Sequence, residues 1–169
     1  WEDGGKAIFR QERVGYHGET FTLYKFRSMI ASSESDGRPA LCSGADDRRL
    51  TCVGRFLREH HLDELPQLWN VLKGEMSFVG PRPEVERYVR LYTPYQRQVL
   101  LVRPGITDYA SIAYRNENDL LAGAEDPEKM YIEQIMPDKI ELNMKYLREI
   151  SPLADIRLIL KTVAAVVKG

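Results

Sequence analysis

Cysteine is scarce in this sequence, and its scarcity excludes one class of protein. Only Cys42 and Cys52 occur among the 169 residues, and their spacing matches neither a CxxC motif nor a disulfide framework. A chain of this length buries enough apolar surface to fold without disulfides or a structural metal. We therefore expect a single domain over residues 1–169, in a reducing compartment.

Long hydrophobic runs and glycine-rich phosphate loops are also missing. No stretch of about 18 uncharged apolar residues occurs, so the sequence predicts no bilayer-spanning helix, and no signal peptide is visible. The glycine patterns of Rossmann and P-loop sites are absent as well. Neither of these nucleotide-binding folds is therefore supported.

The net charge is near zero but unevenly distributed. It amounts to −1, so the molecule as a whole is not a polyanion binder, and we expect no nucleic-acid partner. Residues 48–115 contain 11 basic and 7 acidic residues, whereas residues 117–141 contain 8 acidic and 2 basic residues. This asymmetry fits a site for anions in the first segment, and it also fits two solvated faces.

Hydrophobic periodicity predicts an α+β fold that is mostly helical. Residues 7–29 read as extended around a His17-Gly18 turn, which predicts a small N-terminal β-hairpin. Residues 31–48, rich in Ser, Asp and Gly, predict a mobile loop. The remaining predicted elements are helices at about 51–62, 66–73, 84–101, 127–149 and 152–168, a strand at 76–79 and an extended segment at 106–113.

The last predicted helix, 152–168, is open to two interpretations. Apolar residues occupy much of its circumference, and Arg157, Lys161 and Lys168 lie between them. This composition fits a core helix, and equally an amphipathic helix in a membrane interface, where basic residues meet anionic head groups.

Two adjacent acids mark the candidate site. Asp63 and Glu64 lie between two predicted helices, just before the helix N-terminus that Pro66 opens. Such an N-terminus favours negative charge, so it stabilises a capping carboxylate and equally attracts a phosphate. The pair also suits Mg²⁺, which needs only one or two carboxylates plus substrate phosphates.

Arginines at rigid positions favour the phosphate interpretation. Arg82 lies between two prolines, which reduce the backbone entropy lost when this residue is fixed in place. Arg103 begins a Pro-Gly turn, and Arg58 and Arg115 complete the candidate set. The guanidinium fork matches phosphate oxygens bidentately.

The neighbouring histidines do not indicate zinc. The order His-His-Leu-Asp-Glu is not HExxH, and no further ligand cluster follows. We expect His60 to pack on a helix face with Val53, Phe56 and Leu57, and His61 to be exposed.

Four runs of the sequence resemble one known family. They are residues 9–15 (FRQERVG), 24–29 (YKFRSM), 62–83 (LDELPQLWNVLKGEMSFVGPRP) and 102–107 (VRPGIT). They resemble the bacterial sugar transferases, or monotopic phosphoglycosyl transferases, over about residues 7–168. The resemblance implies transfer of a sugar-1-phosphate from a nucleotide-diphosphate sugar, usually a UDP-sugar, to polyprenyl (undecaprenyl) phosphate, the first membrane step of bacterial surface-glycan synthesis.

The same resemblance implies roles for particular residues. Asp63 would be the nucleophile that forms a covalent phosphosugar-aspartate, and Glu64 would help to hold Mg²⁺ or the acceptor. The phosphate-binding positions it implies are Arg82, Arg58, Arg115, Lys25 and Arg27.

The resemblance also implies a location, and the match is incomplete in two places. It implies the cytoplasmic face of the bacterial inner membrane, with an anchoring hydrophobic helix upstream of Trp1, and it leaves a homo-oligomer open. Many members carry Gly and an Ala-Gln-Val run after Thr107, where this chain has Asp-Tyr-Ala-Ser-Ile. The alternatives to a transferase are a non-catalytic membrane-surface module and a Mg²⁺-dependent phosphohydrolase.

Overall fold

The computed structural model describes residues 4–30 and 49–167. The strands are β1 (Ile8–Val14), β2 (Thr20–Phe26), β3 (Ser77–Val79) and β4 (Gly105–Thr107). The helices are α1 (Cys52–Glu59), α2 (Gln67–Leu72), α3 (Glu86–Val89), α4 (Tyr109–Ala113), α5 (Glu117–Ala122), α6 (Pro127–Met130), α7 (Met136–Glu149) and α8 (Pro152–Val167). This composition confirms the α+β class, and the predicted loop 31–48 lies outside the described residues.

The N-terminal hairpin is present as predicted. β1 and β2 pair antiparallel, with Ile8 opposite Phe26 and Val14 opposite Thr20. The turn between them contains His17 and Gly18, which both have positive φ (55° and 82°). The hairpin is fixed to the rest of the fold at its tip, where Val14 N donates to Glu84 O at 2.9 Å.

A second sheet brings two distant segments together. β3 and β4 pair in parallel, with Ser77 opposite Gly105. The approach is so close that a Cβ on Gly105 would lie 2.1 Å from Gly80 N. Gly105 N also donates to Pro81 O at 3.0 Å. This contact fixes the start of the Pro-Arg-Pro segment.

The main core lies under the C-terminal helices. A one-turn π segment, Tyr131–Ile135, joins α6 to α7, so the predicted helix 127–149 is one continuous helical stretch. The principal buried cluster is Val85, Tyr88, Val99, Leu121, Tyr131, Ile135, Met136, Ile140 and Met144. α8 contributes Leu158 to a smaller cluster, and its Thr162 hydroxyl lies 2.6 Å from that of Thr107 in β4.

Two predicted elements are wrong in part. Residues 84–101 do not form one helix: α3 ends at Val89, and a 3₁₀ turn at Gln96–Leu101 follows. Pro94 explains the break, because it has no N–H to donate to the carbonyl group of Arg90 and its ring would clash with that group in a helix. The extended segment at 106–113 ends at Thr107, where the side chain of Asp108 caps a helix, α4. α5 was not predicted.

The predicted packing face of α1 is also wrong. Val53 and Phe56 are 61% and 53% exposed, and His60 is exposed with its ring against Phe56. α1 instead packs through Gly54, where a Cβ would lie 1.9 Å from Ser28 O. Helix α1 therefore packs against the backbone of Ser28 through its glycine, where no side chain intervenes. No helix in the described part of the chain is long and apolar enough to cross a membrane.

Replacing Gly105 with alanine should destabilise the fold by more than about 2 kcal/mol, because the new methyl group would overlap backbone atoms of Gly80. Gly123→Ala is the matched control, since the nearest atoms to a Cβ there lie 3.8 Å away. Urea unfolding followed by circular dichroism gives both free energies of unfolding. Equal stability of the two variants would refute the close approach of β3 and β4.

Candidate active site

A sharp elbow presents the two acids. α1 ends at Glu59, His61 adopts a left-handed conformation (φ 53°), and a 3₁₀ turn at Leu62–Glu64 leads to Pro66 and α2. Asp63 is only 8% exposed. The turn places the Glu64 side chain against β2 and the Pro-Arg-Pro segment.

Glu64 is held by two cations from different parts of the chain. Lys25 Nζ, from β2, lies 2.9 Å from Glu64 Oε1. The Arg82 guanidinium donates from Nη1 to Glu64 Oε2 at 3.2 Å and from Nη2 to Oε1. Both carboxylate oxygens are therefore engaged, and the arginine fork is fixed in orientation.

The two adjacent acids have opposite pKa shifts. Burial disfavours the Glu64 carboxylate, but the charges of Arg82 and Lys25 outweigh that cost and hold its pKa well below the usual range. Burial raises the pKa of Asp63, and the charge of Glu64 raises it further, against the opposing cations. Glu64 is thus a fixed anion, whereas Asp63 is the acid with less charge compensation.

The peptide of Arg82 is held on its N-terminal side. Arg82 N donates to Asp108 Oδ2 at 3.1 Å, and Asp108 is fully buried. The other oxygen, Asp108 Oδ1, accepts from Ser111 N at 2.5 Å. Sequence reasoning noted Asp108 only as a departure from the family pattern and assigned it no role.

A second network holds the C-terminal side of the same segment. Arg13 Nη1 donates to Pro83 O at 3.1 Å and pairs with Glu84 Oε1 at 3.3 Å. The other oxygen of Glu84 accepts from the Tyr131 hydroxyl. These residues were not predicted, because their partners are about 50 or more positions away in sequence.

Asn70 joins α2 to the strand that carries Lys25. It has no exposed surface, accepts from Tyr24 N at 3.2 Å and donates to Thr22 O and Glu75 Oε2 at 2.7 Å each. These bonds fix β2 relative to the elbow. The signal in the sequence is only a polar residue in the middle of an apolar helix.

The remaining predicted basic residues divide into two groups. Arg58 donates to Ser28 Oγ at 2.9 Å, and its charge acts to lower the pKa of Asp63, so it belongs to the site. Arg103 and Arg115 are exposed and form no ion pair within residues 4–30 and 49–167. The structure therefore does not bring these two arginines to the acids in the conformation described.

Arg27 takes a separate position. Its guanidinium lies against the backbone of Gly5, ahead of β1. The structure thus brings together five of the predicted site residues: Asp63, Glu64, Arg82, Lys25 and Arg58.

The donor set suits a hard cation that arrives with phosphate. The part of the chain that the structure describes contains no group of three His, Cys, Asp or Glu side chains able to form a protein-only metal cage. Glu64 already engages Lys25 and Arg82, so Asp63 is the carboxylate with fewer contacts. Mg²⁺ fits such a site, because substrate phosphates and water supply most of its ligands.

Comparison with known proteins identifies the family of the chain. Residues 1–169 match the family described as "Bacterial sugar transferase". The chain belongs to this family. The resemblance of its four sequence runs is therefore confirmed.

Named relatives in this family are phosphotransferases. The chain is 41% identical over 164 residues to the UDP-glucose:undecaprenyl-phosphate glucose-1-phosphate transferase of Escherichia coli strain K12, covering 94% of the chain and 32% of that protein. It is 42% identical over 130 residues to the undecaprenyl-phosphate galactose phosphotransferase of Salmonella typhimurium strain LT2 (69% and 27%). It is 36% identical over 171 residues to the UDP-N-acetylgalactosamine-undecaprenyl-phosphate N-acetylgalactosaminephosphotransferase of Aeromonas hydrophila (99% and 37%). The chain thus spans about a third of the length of these relatives.

Asp63→Asn and Glu64→Gln should change stability in opposite directions. Glu64→Gln should lower the free energy of unfolding at neutral pH by about 2 kcal/mol, because it leaves two partly buried cations without their anion. Asp63→Asn should raise it, because it removes a buried charge.

The pH dependence of unfolding tests the same assignment. The lowered pKa of Glu64 makes its stabilising effect complete above the usual value of 4.5, and this effect is lost as the pH falls towards the folded pKa. The raised pKa of Asp63 makes its ionisation costly, and the cost grows as the pH rises from 3.8 through the folded pKa. Urea unfolding from about pH 3 to about pH 8 measures both. If the free energy of unfolding changed in the same direction in Asp63→Asn and Glu64→Gln, the opposite pKa shifts of the two acids would be contradicted.

Proposed function

We propose that the chain transfers a sugar-1-phosphate from a nucleotide-diphosphate sugar, usually a UDP-sugar, to undecaprenyl phosphate. The observation that carries this proposal is the buried Asp63 beside a Glu64 that is clamped by Lys25 and Arg82. The names of the relatives supply the two substrate classes. Such a reaction would begin the synthesis of a bacterial surface glycan.

The chemistry is a double displacement at one phosphorus atom. A carboxylate oxygen of Asp63 attacks the phosphorus that bears the sugar, and the bond from that phosphorus to the nucleoside monophosphate oxygen breaks. The acceptor phosphate oxygen then attacks the same phosphorus and releases Asp63. Two in-line steps through a covalent aspartyl intermediate replace one difficult encounter between two anions.

The charges around Asp63 suit this chemistry. Lys25 and Arg82 act on both acids and Arg58 acts on Asp63, so these five side chains together carry one net positive charge. Arg82 and Lys25 retain unused N–H groups after pairing with Glu64, so they can also donate to a diphosphate. Fixed donors in a partly buried site stabilise the charge that develops at phosphorus.

Mg²⁺ belongs to the same proposal. When bound, it would offset the negative charge of the diphosphate and of the leaving nucleotide. Asp63 would hold it, and Glu64 would be able to join through Oε2, which accepts only from Arg82 Nη1 and keeps a free lone pair.

α8 supports a site at a membrane surface. Its residues Leu153, Ile156, Leu160 and Val163 follow one helix face and are 54% to 66% exposed, whereas Leu158 on the opposite face is 1% exposed. We propose that this apolar face lies in the interface of the cytoplasmic leaflet of the bacterial inner membrane. A lipid-linked acceptor requires such a position.

Label exchange tests the covalent step. The full-length protein, with Mg²⁺ and a panel of UDP-sugars, should exchange labelled UMP into the donor without acceptor, and should form net product only when undecaprenyl phosphate is added. Asp63→Asn should lower the exchange by at least about a thousandfold, because an amide is a poor nucleophile. The exposed surface variant Asp119→Asn is the control.

The alternatives give different products. Release of free sugar phosphate without acceptor would indicate the phosphohydrolase, and absence of any turnover over a broad donor panel would favour the non-catalytic module. Full exchange activity in Asp63→Asn would remove Asp63 from the role of nucleophile.

Binding to lipid vesicles tests the membrane proposal. The double variant Leu153→Gln/Leu160→Gln should bind vesicles of anionic phospholipid at least about tenfold more weakly, because it removes two apolar contacts with the acyl region. Leu120→Gln, which changes an exposed leucine of α5, should bind like the parent protein. Cosedimentation of residues 1–169 alone, without any upstream anchoring helix, gives the affinities, and equal binding of both variants would refute the interfacial position of α8.

A further inference from the structure

Asp108 is the only buried carboxylate in the described chain without exposed surface. It lies between β4 and α4, and both of its oxygens accept from backbone N–H groups. Asp108 Oδ1 accepts from Ser111 N at 2.5 Å, and Oδ2 accepts from Arg82 N at 3.1 Å. The first bond caps a helix, and the second joins that cap to the candidate site.

Helix capping alone does not explain a buried carboxylate. Serine or asparagine caps a helix about as well with a single acceptor, and burying a charge is costly unless it is hydrogen-bonded. Asp126 provides the comparison within the chain: it is exposed and caps α6 through one bond, from Lys129 N at 3.0 Å. What distinguishes Asp108 is its second bond.

The donor of that second bond is unique in its segment. Pro81 and Pro83 have no N–H, so Arg82 N is the sole backbone donor of the Pro-Arg-Pro tripeptide. Asp108 accepts the hydrogen bond from this N–H group. The side chain of the same residue, Arg82, carries the guanidinium that binds Glu64.

We propose that Asp108 is a positioning residue, which fixes the Arg82 peptide so that the guanidinium meets both Glu64 and the substrate diphosphate. The inference rests on the proposed function for the identity of the substrate, but the geometry that it describes does not depend on turnover. Asp108 itself touches no reacting atom in this role.

Asp108→Asn tests the role with little change in volume. One amide oxygen can keep the cap or the Arg82 bond, but not both, since the NH₂ group cannot accept. In the full-length protein we expect Asp108→Asn to lower kcat/KM about tenfold. We expect the affinity for UDP, which titration calorimetry measures, to fall by a similar factor. Asp126→Asn should leave both values within about twofold, because asparagine caps as well as aspartate.

A double-mutant cycle tests whether Asp108 affects UDP affinity through Arg82. If Asp108 acts through Arg82, Asp108→Asn should lower UDP affinity no further once Arg82→Ala is present. Amide hydrogen exchange gives a readout independent of activity: the Arg82 N–H should be protected in the parent protein and at least about tenfold less so in Asp108→Asn. Asp108→Ser, which keeps a capping oxygen, should repeat the result if the asparagine variant folds poorly.

The outcomes separate this inference from the proposed reaction. An unprotected Arg82 amide in the parent protein, additive losses in the double variant, or an Asp108→Asn variant that behaves like Asp126→Asn would overturn the positioning role. Absence of UMP formation from every donor, together with Arg82-dependent loss of UDP affinity in Asp108→Asn, would overturn the transfer reaction and support the positioning role.

Discussion

The site depends on the compensation of one partly buried negative charge, that of Glu64. Glu64 would be costly at this depth without partners, and it receives two, Lys25 from β2 and Arg82 from the segment after β3. These three residues come from three separate regions of the chain. Their ion pairs therefore join the hairpin, the elbow and the Pro-Arg-Pro segment, and they do so where Asp63 is presented.

The surrounding structure restricts how these groups can move. Prolines flank Arg82, Asp108 and Arg13 hold the peptide groups on its two sides, and Asn70 fixes the strand that carries Lys25. Hydrogen bonds between backbone groups and side chains thus hold the site together. This kind of support suits a reaction in which positioning and electrostatics supply most of the rate enhancement.

Local sequence signals predicted part of this arrangement. Pro66 and the adjacent acids identified the elbow, the two prolines singled out Arg82, and the His17-Gly18 turn identified the hairpin. The helix predicted at 84–101 was wrong because the apolar periodicity was given more weight than Pro94. The pairing of Lys25 with Glu64 bridges 39 positions, and nothing local in either segment encodes that contact.

Asp108 and Arg103 show in two ways how far local sequence can identify site residues: the first was missed, and the second was included although it does not reach the acids. Asp108 reads as an ordinary residue until β4 pairs with β3 and brings it to Arg82. Arg103 reads as a ligand because of its Pro-Gly turn, but it is exposed and forms no ion pair in the described part of the chain. Residue type and turn chemistry thus indicate candidate site residues, and the tertiary contacts between distant segments decide which of them reach the site.

The hydroxyl contact between Thr107 and Thr162 has a geometric consequence. It fastens α8 to the strand that leads into Asp108, and Asp108 in turn holds Arg82. The outer face of α8 and the Arg82 guanidinium are therefore linked through a short series of hydrogen-bonded residues. With α8 resting on a bilayer, these contacts would set the distance between the lipid surface and the Arg82 guanidinium. They would therefore set the height above the lipid at which a phosphate head group is bound.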